Sequence, residues 1–314
     1  LIWQPQASGA FAMAATLALV AGAGARFVPG SSAAGPIARI LDALAPWLLA
    51  GALILALGAT VLGLCRLGPG LVAAALVALA GLGALHLRQS LPAQPGRAPD
   101  LRILFFNVCI ENDLPAETIV RAALRQDPDI IVFAEAEAVA GGLPLLKDRY
   151  DFVSPCRPGA CQIVLAARSR PKRFWRMSLN PAWPDRYAVA EIETAGGKRV
   201  FLAGLQLLKP WMSGLADTEL ERLTAQLGWL PGPAVAIGDF NAAPWSRTLS
   251  QIHRDTGMAT ARLPTATWPV GAGRFGVPID QVLVGGGARL VRLSPFGAEL
   301  GSNHRGLLAE IALP

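Results

Sequence analysis

Charge is what the first 90 residues lack. Only Arg26, Arg39, Asp42, Arg66 and Arg88 interrupt them, in a chain that is 16% charged overall. No soluble core needs so long a stretch so poor in charge, and a signal peptide would explain one apolar segment, not several. Residues 9–25, 43–65 and 68–87 contain no Lys, Arg, Asp or Glu. About 20 apolar residues in a helix span a hydrocarbon core, so three transmembrane helices are expected, at about 9–28, 43–65 and 68–87. Pro46 and Pro69 fall near helix starts, where a missing N–H costs little. The first residue is Leu1 rather than Met, so a preceding segment is expected as well. Loop charges (Arg66 on one side, Arg26 and Arg39 against Asp42 on the other) leave the direction of the spans open.

Histidine and cysteine are scarce too, at three and four residues. His86 falls at the end of an apolar segment and His253 on a helical stretch, and both read as structural. Only His304 is left for chemistry. Cys156 and Cys161 bracket Arg-Pro-Gly-Ala, a turn sequence that can bring two thiols within bonding distance. A disulfide there implies an oxidising, extracytoplasmic compartment. Two free thiols are the alternative, or a metal-binding pair, which has no Cys or His partners nearby. Cys65 in a helix and Cys109 in a strand read as small buried hydrophobes.

Beyond residue 90 the balance of charge is ordinary, and the net charge of the whole chain is a mild +6. Residues 90–100, with Pro92, Pro95, Gly96 and Pro99, read as a linker. Apolar runs at 101–108, 130–134, 162–167, 188–193, 200–205, 234–237, 281–284 and 307–313 read as buried strands. Residues 116–126 and 218–230 have helical spacing. Many strands, few helices and no repeats suggest packed sheets flanked by helices, in one domain over 101–314.

Polar residues end these apolar runs: Asn107, Glu135, Asp280, and Asp239 with Asn241 in Gly238-Asp239-Phe240-Asn241. Alternation along an extended chain would point Asp239 and Asn241 to the same side. Each residue alone can close a turn, pair an arginine or cap a loop. Together with His304 they form a set of oxygen donors and one imidazole suited to a divalent cation and a phosphate. Arg168, Arg170, Lys172, Arg173 and Arg176 make one dense basic run. It suits nucleic acid, anionic headgroups or a substrate phosphate, or is simply a solvated loop.

From about residue 101 to 313 the chain resembles the endonuclease/exonuclease/phosphatase superfamily, the DNase-I-like fold. The matching segments, in the family's order, are Ile103-Leu104-Phe105-Phe106-Asn107, Pro128-Asp129-Ile130-Ile131-Val132-Phe133-Ala134-Glu135, Gly238-Asp239-Phe240-Asn241, Ile279-Asp280-Gln281-Val282-Leu283-Val284 and Ser302-Asn303-His304-Arg305. Preceding membrane helices, and Thr265-Ala266-Thr267-Trp268-Pro269, resemble the membrane-bound branch that includes a bacterial teicoplanin-resistance protein.

The resemblance implies an α/β (α+β) fold, a four-layer αββα sandwich. It implies Mg²⁺ or Mn²⁺ held by Glu135 with Asn107 and Asn303. Asp239 would orient or deprotonate the attacking water and Asn241 would bond the phosphate. His304, oriented by Asp280, would contact the scissile phosphate. Two positions depart from the family pattern: Gln206 where a His is common, with Lys209 close enough to supply charge, and Asn303 where Asp is usual. The implied activity is metal-dependent hydrolysis of a phosphate ester or pyrophosphate in a lipid or envelope precursor, an isoprenoid-linked phosphate being one example. The partners would be the bilayer and a phosphorylated lipid or small molecule, with nucleic acid second to these. The setting would be the bacterial inner (plasma) membrane with the catalytic domain extracytoplasmic. An anchored nuclease, or a catalytically degenerate binding protein to which Gln206 and Asn303 point, are the other readings.

Overall fold

The structure is a computed structural model that describes residues 3–63, 67–157, 159–212 and 214–314. The expectations for Leu1, Cys65 and Arg66 lie outside the described residues.

Helix α1 (Trp3–Gly24) continues through a 3-10 turn (Ala25–Phe27), and α2 (Gly35–Ala43), α3 (Ala45–Val61) and α4 (Leu67–Arg88) follow. Residues Gln6–Phe27 and helix α4 are each long and apolar enough to cross a membrane. Helices α2 and α3, bent 73° to one another, pass that test only as a pair. The packing is inside out by the standard of a soluble bundle. Ala12, Ala15, Ala45, Ala52, Ala56, Ala59 and Ala75 are buried, whereas Met13, Leu17, Val20, Ile54, Leu57, Val61, Leu76 and Val77 face outward. Small residues let helix backbones approach closely, and large apolar side chains suit a hydrocarbon surround.

Helix α2 is an element the hydropathy pattern does not announce. Its Arg39 and Asp42 interrupt the apolar run, and the helix opens on a proline. Those charges turn toward the rest of the chain. Arg39 Nη2 lies 3.0 Å from Asp217 Oδ1, and Asp42 Oδ2 accepts the Arg247 N–H at 2.6 Å. The Trp245 indole donates to Ala43 O at 3.1 Å.

The remaining elements are β1 (Ser90–Leu91), β2 (Leu101–Asn107), α5 (Ala116–Arg125), β3 (Ile130–Ala134), β4 (Phe152–Val153), β5 (Ile163–Ala167) and β6 (Arg173–Met177). They continue with β7 (Tyr187–Glu193), β8 (Arg199–Gln206), α6 (Ala216–Gly228), β9 (Ala234–Asp239), α7 (Arg247–Thr256), β10 (Ala259–Ala261), β11 (Asp280–Gly285), β12 (Arg289–Phe296) and β13 (Gly306–Ala312). One sheet has the order β1-β10-β11-β9-β8-β7-β6 and the other β12-β13-β2-β3-β5-β4.

Side-chain alternation builds the layers. Ile103 and Phe105 of β2, Ile130 and Val132 of β3, Val235 and Ile237 of β9 and Val282 of β11 meet between the sheets. Leu104, Phe106, Ile131 and Phe133 point the other way, onto α5 and a 3-10 stretch (Ala136–Asp148). Ala236, Val189 and Ala203 cover the second sheet's outer face beneath α6 and α7. The result is the expected helix–sheet–sheet–helix sandwich.

The short strands β4, β6 (within the basic run) and β10 were not read from the sequence, and three further details differ. Strand β12 carries Arg289, Arg292 and Pro295, which break its apolar pattern; it is a sheet edge, where charge and proline are tolerated. The segment read as a linker is bonded along its length. Strand β1 pairs with β10, and Asp100 Oδ2 takes both the Leu313 N–H (2.7 Å) and Lys198 Nζ (3.1 Å). Cys109 lies beyond the end of β2 with φ 65°, half-buried, so it is neither a strand residue nor a core hydrophobe. The disulfide between Cys156 and Cys161 is present, with Cα atoms 4.8 Å apart.

Glycine is required at 238, where a Cβ would lie 2.1 Å from the Leu205 carbonyl oxygen. A backbone atom cannot yield as a flexible side chain does. Gly238→Ala is therefore expected to destabilise the protein by about 1–3 kcal/mol, seen as a lower Tm of the full chain in detergent. An unchanged Tm would show that β8 and β9 can separate there at no cost.

Candidate active site

Five strand ends meet at one rim of the sandwich. Asn107 ends β2, Glu135 follows β3, Gln206 ends β8, Asp239 ends β9 and Asp280 begins β11. The register sets the neighbours: Asp239 is directly paired with Asp280 on one side and with Gln206 on the other. His304 reaches in from the loop before β13. Its Nδ1 is 3.0 Å from Asp280 Oδ2 and 3.2 Å from Oδ1.

Amides knit the carboxylates together. Asn107 Nδ2 donates to Asp239 Oδ2 at 3.0 Å and reaches Glu135 Oε1 at 3.5 Å. Gln206 Nε2 donates to Glu135 Oε1 at 2.7 Å and lies 3.5 Å from Asp239 Oδ2. Asn241 donates its backbone N–H to Asp239 Oδ1 at 2.9 Å and its amide to Asp239 Oδ2 at 3.3 Å. Asp239 and Asn241 thus face each other across a turn, Asn241 having φ 48°, and strand alternation is not what brings them together. Asn107 presents its nitrogen to the carboxylates, while its oxygen takes the Cys109 N–H at 3.1 Å. Asn303 lines the same cavity with an exposed side chain.

Burial governs the electrostatics. It raises the Asp239 carboxyl to about 7, Asp280 and Glu135 add to the rise, and His304 and the Asn241 N–H oppose it. Burial alone would lower the His304 imidazole. The Asp280 carboxylate, by charge and hydrogen bond, more than offsets that and holds it up at about 9. The imidazole is therefore cationic at neutral pH.

The donor set suits a hard divalent cation. Asp239, Asp280 and His304 offer ligand atoms within 4.8 Å of one another, as do Cys109, Glu111 and Glu135. The buried Oε1 of Gln206 has no hydrogen-bond partner. Crowded carboxylates, one of them pushed by burial to protonate near neutrality, and an unpartnered amide oxygen are what a divalent cation would complete.

Three residues of the site have no role in the sequence reading, although Ser302 and Thr267 stand in segments matched there. Arg186, just before β7, is buried, bonds Gln162 Oε1 at 3.2 Å through Nε and leaves Nη1 without a partner. Burial lowers its guanidinium pKa, against the pull of Glu135, Asp239 and Glu219. Its charge adds to that of Lys209, which is exposed, lies over the Trp211 ring at 5.6 Å and lines the same cavity as Glu135, Asp239 and His304. A lone arginine opening a buried strand was the available signal. Ser302 Oγ donates to Asn107 O (2.7 Å) and accepts the His304 N–H (3.0 Å), tying the histidine loop to β2. Thr267 Oγ1 accepts the N–H groups of Ile279 and Asp280, both at 3.2 Å.

The other histidines are structural, as read: His86 Nε2 is 3.0 Å from Arg262 O, and His253 Nδ1 is 3.0 Å from Met258 O. The basic run is largely spent on local partners. Arg168 pairs with Asp127, Lys172 with Glu193 and Arg173 with Glu191, and Arg176 donates to Pro155 O.

The profile of the Endonuclease/Exonuclease/phosphatase family matches residues 104–304. No curated protein matches in sequence. Among solved structures, the chain is similar to D. rerio TDP2 complexed with a single-strand DNA product, at TM-score 0.55 and 13% identity over 68% of this chain and 98% of that one. It is similar to sphingomyelinase C from Streptomyces griseocarneus, at TM-score 0.50 and 16% identity over 67% and 98%. A beta toxin mutant from Staphylococcus aureus with bound magnesium ions gives TM-score 0.50 and 13% identity over 67% and 99%. At these identities the likeness is one of fold.

Replacing Asp280 by Asn leaves burial to dominate His304. Its imidazole, followed by NMR in chelator-treated protein, is expected to titrate well below the parent's value of about 9, with Asp239 and Glu135 still opposing the fall. An unshifted titration would show that Asp280 is not the group holding the proton.

Proposed function

The chain belongs to the endonuclease/exonuclease/phosphatase family, and from that premise we propose that it is a membrane-anchored phosphoric ester hydrolase that depends on Mg²⁺ or Mn²⁺. Its substrate is a phosphate ester or pyrophosphate carried by a lipid or envelope precursor. The observation that carries this reading is the meeting of Asn107, Glu135, Gln206, Asp239, Asp280 and His304 in one cleft. Structural necessity does not account for so many buried polar groups sharing one rim.

Glu135 would hold the metal, with Asn303 at the rim and with Asn107 once its amide turns so that Oδ1 rather than Nδ2 faces the carboxylates. When bound, the ion supplies Lewis-acid polarisation of a phosphoryl oxygen. Asp239, whose carboxyl protonates near neutrality, is suited to orienting the attacking water and taking its proton. The Asn241 amide and the cationic His304 bond the phosphoryl oxygens, and Asp280 fixes the imidazole through Nδ1. Arg186 adds a fixed positive charge where negative charge grows, which makes good the missing histidine at Gln206.

Helices Gln6–Phe27 and α4, with the bent pair α2–α3 as a third crossing, anchor the domain to a bacterial inner membrane. The Cys156–Cys161 disulfide favours an extracytoplasmic domain. That location, and the local pairing of the basic run, speak against chromosomal DNA as substrate.

Purified full-length protein is expected to hydrolyse members of a phosphate-ester panel with Mg²⁺ or Mn²⁺, to stop in EDTA and to lose turnover on Glu135→Gln. Arg186→Ala is expected to lower kcat by about 10²–10³-fold, as does loss of other donors that stabilise developing charge. Inactivity toward every ester with both metals would refute the reading. Selective cleavage of DNA would favour an anchored nuclease instead.

A further inference from the structure

The cavity over the candidate site has two unlike halves. Its floor is polar: Glu135, Asp239, Asn241 and His304. Its wall is apolar, and part of that wall is Ile40, Ala43 and Leu44, which come from α2 and the turn after it rather than from the catalytic domain. They face Trp268, Val277 and Ile279, and Ala43 and Leu44 pack directly on the buried cluster of Ala243, Val277 and Ile279. The void is about 270 Å³, room for a phosphate and the first carbons of a chain.

This wall is built into the fold. On its far side α2 is fixed by the Arg39–Asp217 pair, the Asp42 bond to the Arg247 N–H and the Trp245 bond to Ala43 O. Trp47, at the start of α3, packs at a tilt against Trp245 with ring centroids 5.6 Å apart. Helix α3 leaves α2 at 73°, so the wall is continuous with the bundle whose outward face is apolar. Trp211 stands 56% exposed at the cavity rim. A chain too long for the cavity has an apolar path from the site toward the bilayer.

We propose that α2 forms part of the substrate site and that the wall of Ile40, Leu44 and Trp268 holds the hydrocarbon chain of a bilayer lipid phosphate while its phosphate rests on the polar floor. The inference deepens the hydrolase reading and rests on it for the floor's occupant. A water-soluble phosphate would leave the wall against solvent, whereas a lipid covers it with its own first methylenes and needs only partial withdrawal from the membrane.

The test uses the full chain in nanodiscs with Mg²⁺ and a series of p-nitrophenyl alkyl phosphodiesters from methyl to octyl. Each methylene buried against the wall is expected to raise kcat/KM about fourfold until the cavity is full. With about three to four methylenes against the wall, the octyl-to-methyl ratio should reach about 10². In the double variant Ile40→Gln, Leu44→Gln that ratio should fall below about 10, whatever happens to overall activity. Ile40→Val, Leu44→Met should retain it. A ratio near one in the parent protein overturns the proposal, as does a ratio that the glutamine variant leaves unchanged. A second measurement does not need turnover: a hexadecyl phosphate bearing a diazirine early in its chain, irradiated in the same nanodiscs. Labelling of residues 40–44 and 268 is expected. Labelling confined to the outer faces of α1 and α4 counts against the wall. Labelling at the wall without hydrolysis of any ester would sink the hydrolase reading and leave the lipid site standing. Hydrolysis indifferent to chain length, with no label at the wall, would do the reverse.

Discussion

Two buried aspartates paired side by side on neighbouring strands, with a glutamate close by, are the constraint on which this structure turns. Asp239 and Asp280 occupy opposed positions of β9 and β11 and are both buried. Bringing like charges into such a space is costly unless positive charge or hydrogen-bond donors meet them. The neighbours answer to that need. His304 is held protonated against Asp280, and Asn107, Gln206 and Asn241 turn amide donors on Asp239, which Asn107 and Gln206 share with Glu135. The compensation is incomplete, since Asp239 still sits at about 7. A scaffold that stops short of neutralising its own carboxylates leaves room for a cation from solution.

Holding that arrangement takes strain as well as charge. Glu135, Asn241 and Cys109 all lie in the left-handed region, and all three line the site's cavity. Such conformations cost of order 1–3 kcal/mol each and persist where the surroundings over-determine them. Here the surroundings are the completely buried strands β3 and β9, the Ser302 bridge between the histidine loop and β2, and Thr267 beneath Asp280. The strained residues are also the ones that aim side chains at a common point. Relaxing them into extended strand would send the side chains to opposite faces of the sheet.

The sandwich was readable because its central strands are buried on both faces and appear as unbroken apolar runs, each closed by one polar residue. Residues 130–134 were read with the bounds that the structure has, and Asn107, Glu135, Asp239 and Asp280 are legible for the same reason: a polar residue there interrupts a pattern. Arg186 was not, because arginines open many strands, and only its burial beside Glu135 and Asp239 distinguishes it from a solvated one. Edge strands such as β12 vary for solubility rather than for packing, so periodicity says little about them. Helix α2 failed for another reason. Arg39 and Asp42 mark a loop between membrane spans by every local rule, and their partners lie some 170 to 205 residues away in sequence.

That last failure bears on how the chain is divided. Composition changes sharply near residue 90, and the natural division is an anchor followed by an independent catalytic domain. The contacts cut across it. The half-exposed Arg39–Asp217 pair contributes modestly by itself. The buried Asp42 carboxylate accepts the Arg247 N–H, a bond that separating the two parts would remove. His86 and Gln89, at the end of α4, bond Arg262 O and Pro244 O, so a second apolar helix meets the sandwich beside the same Trp245. Two independent routes from the helices thus converge on the loop between β9 and α7, which begins at Asp239. Any tilt of the bundle relative to the sheets would be felt at the residue proposed to activate water, so the geometry of the site is set jointly by the soluble core and by the helices beneath it.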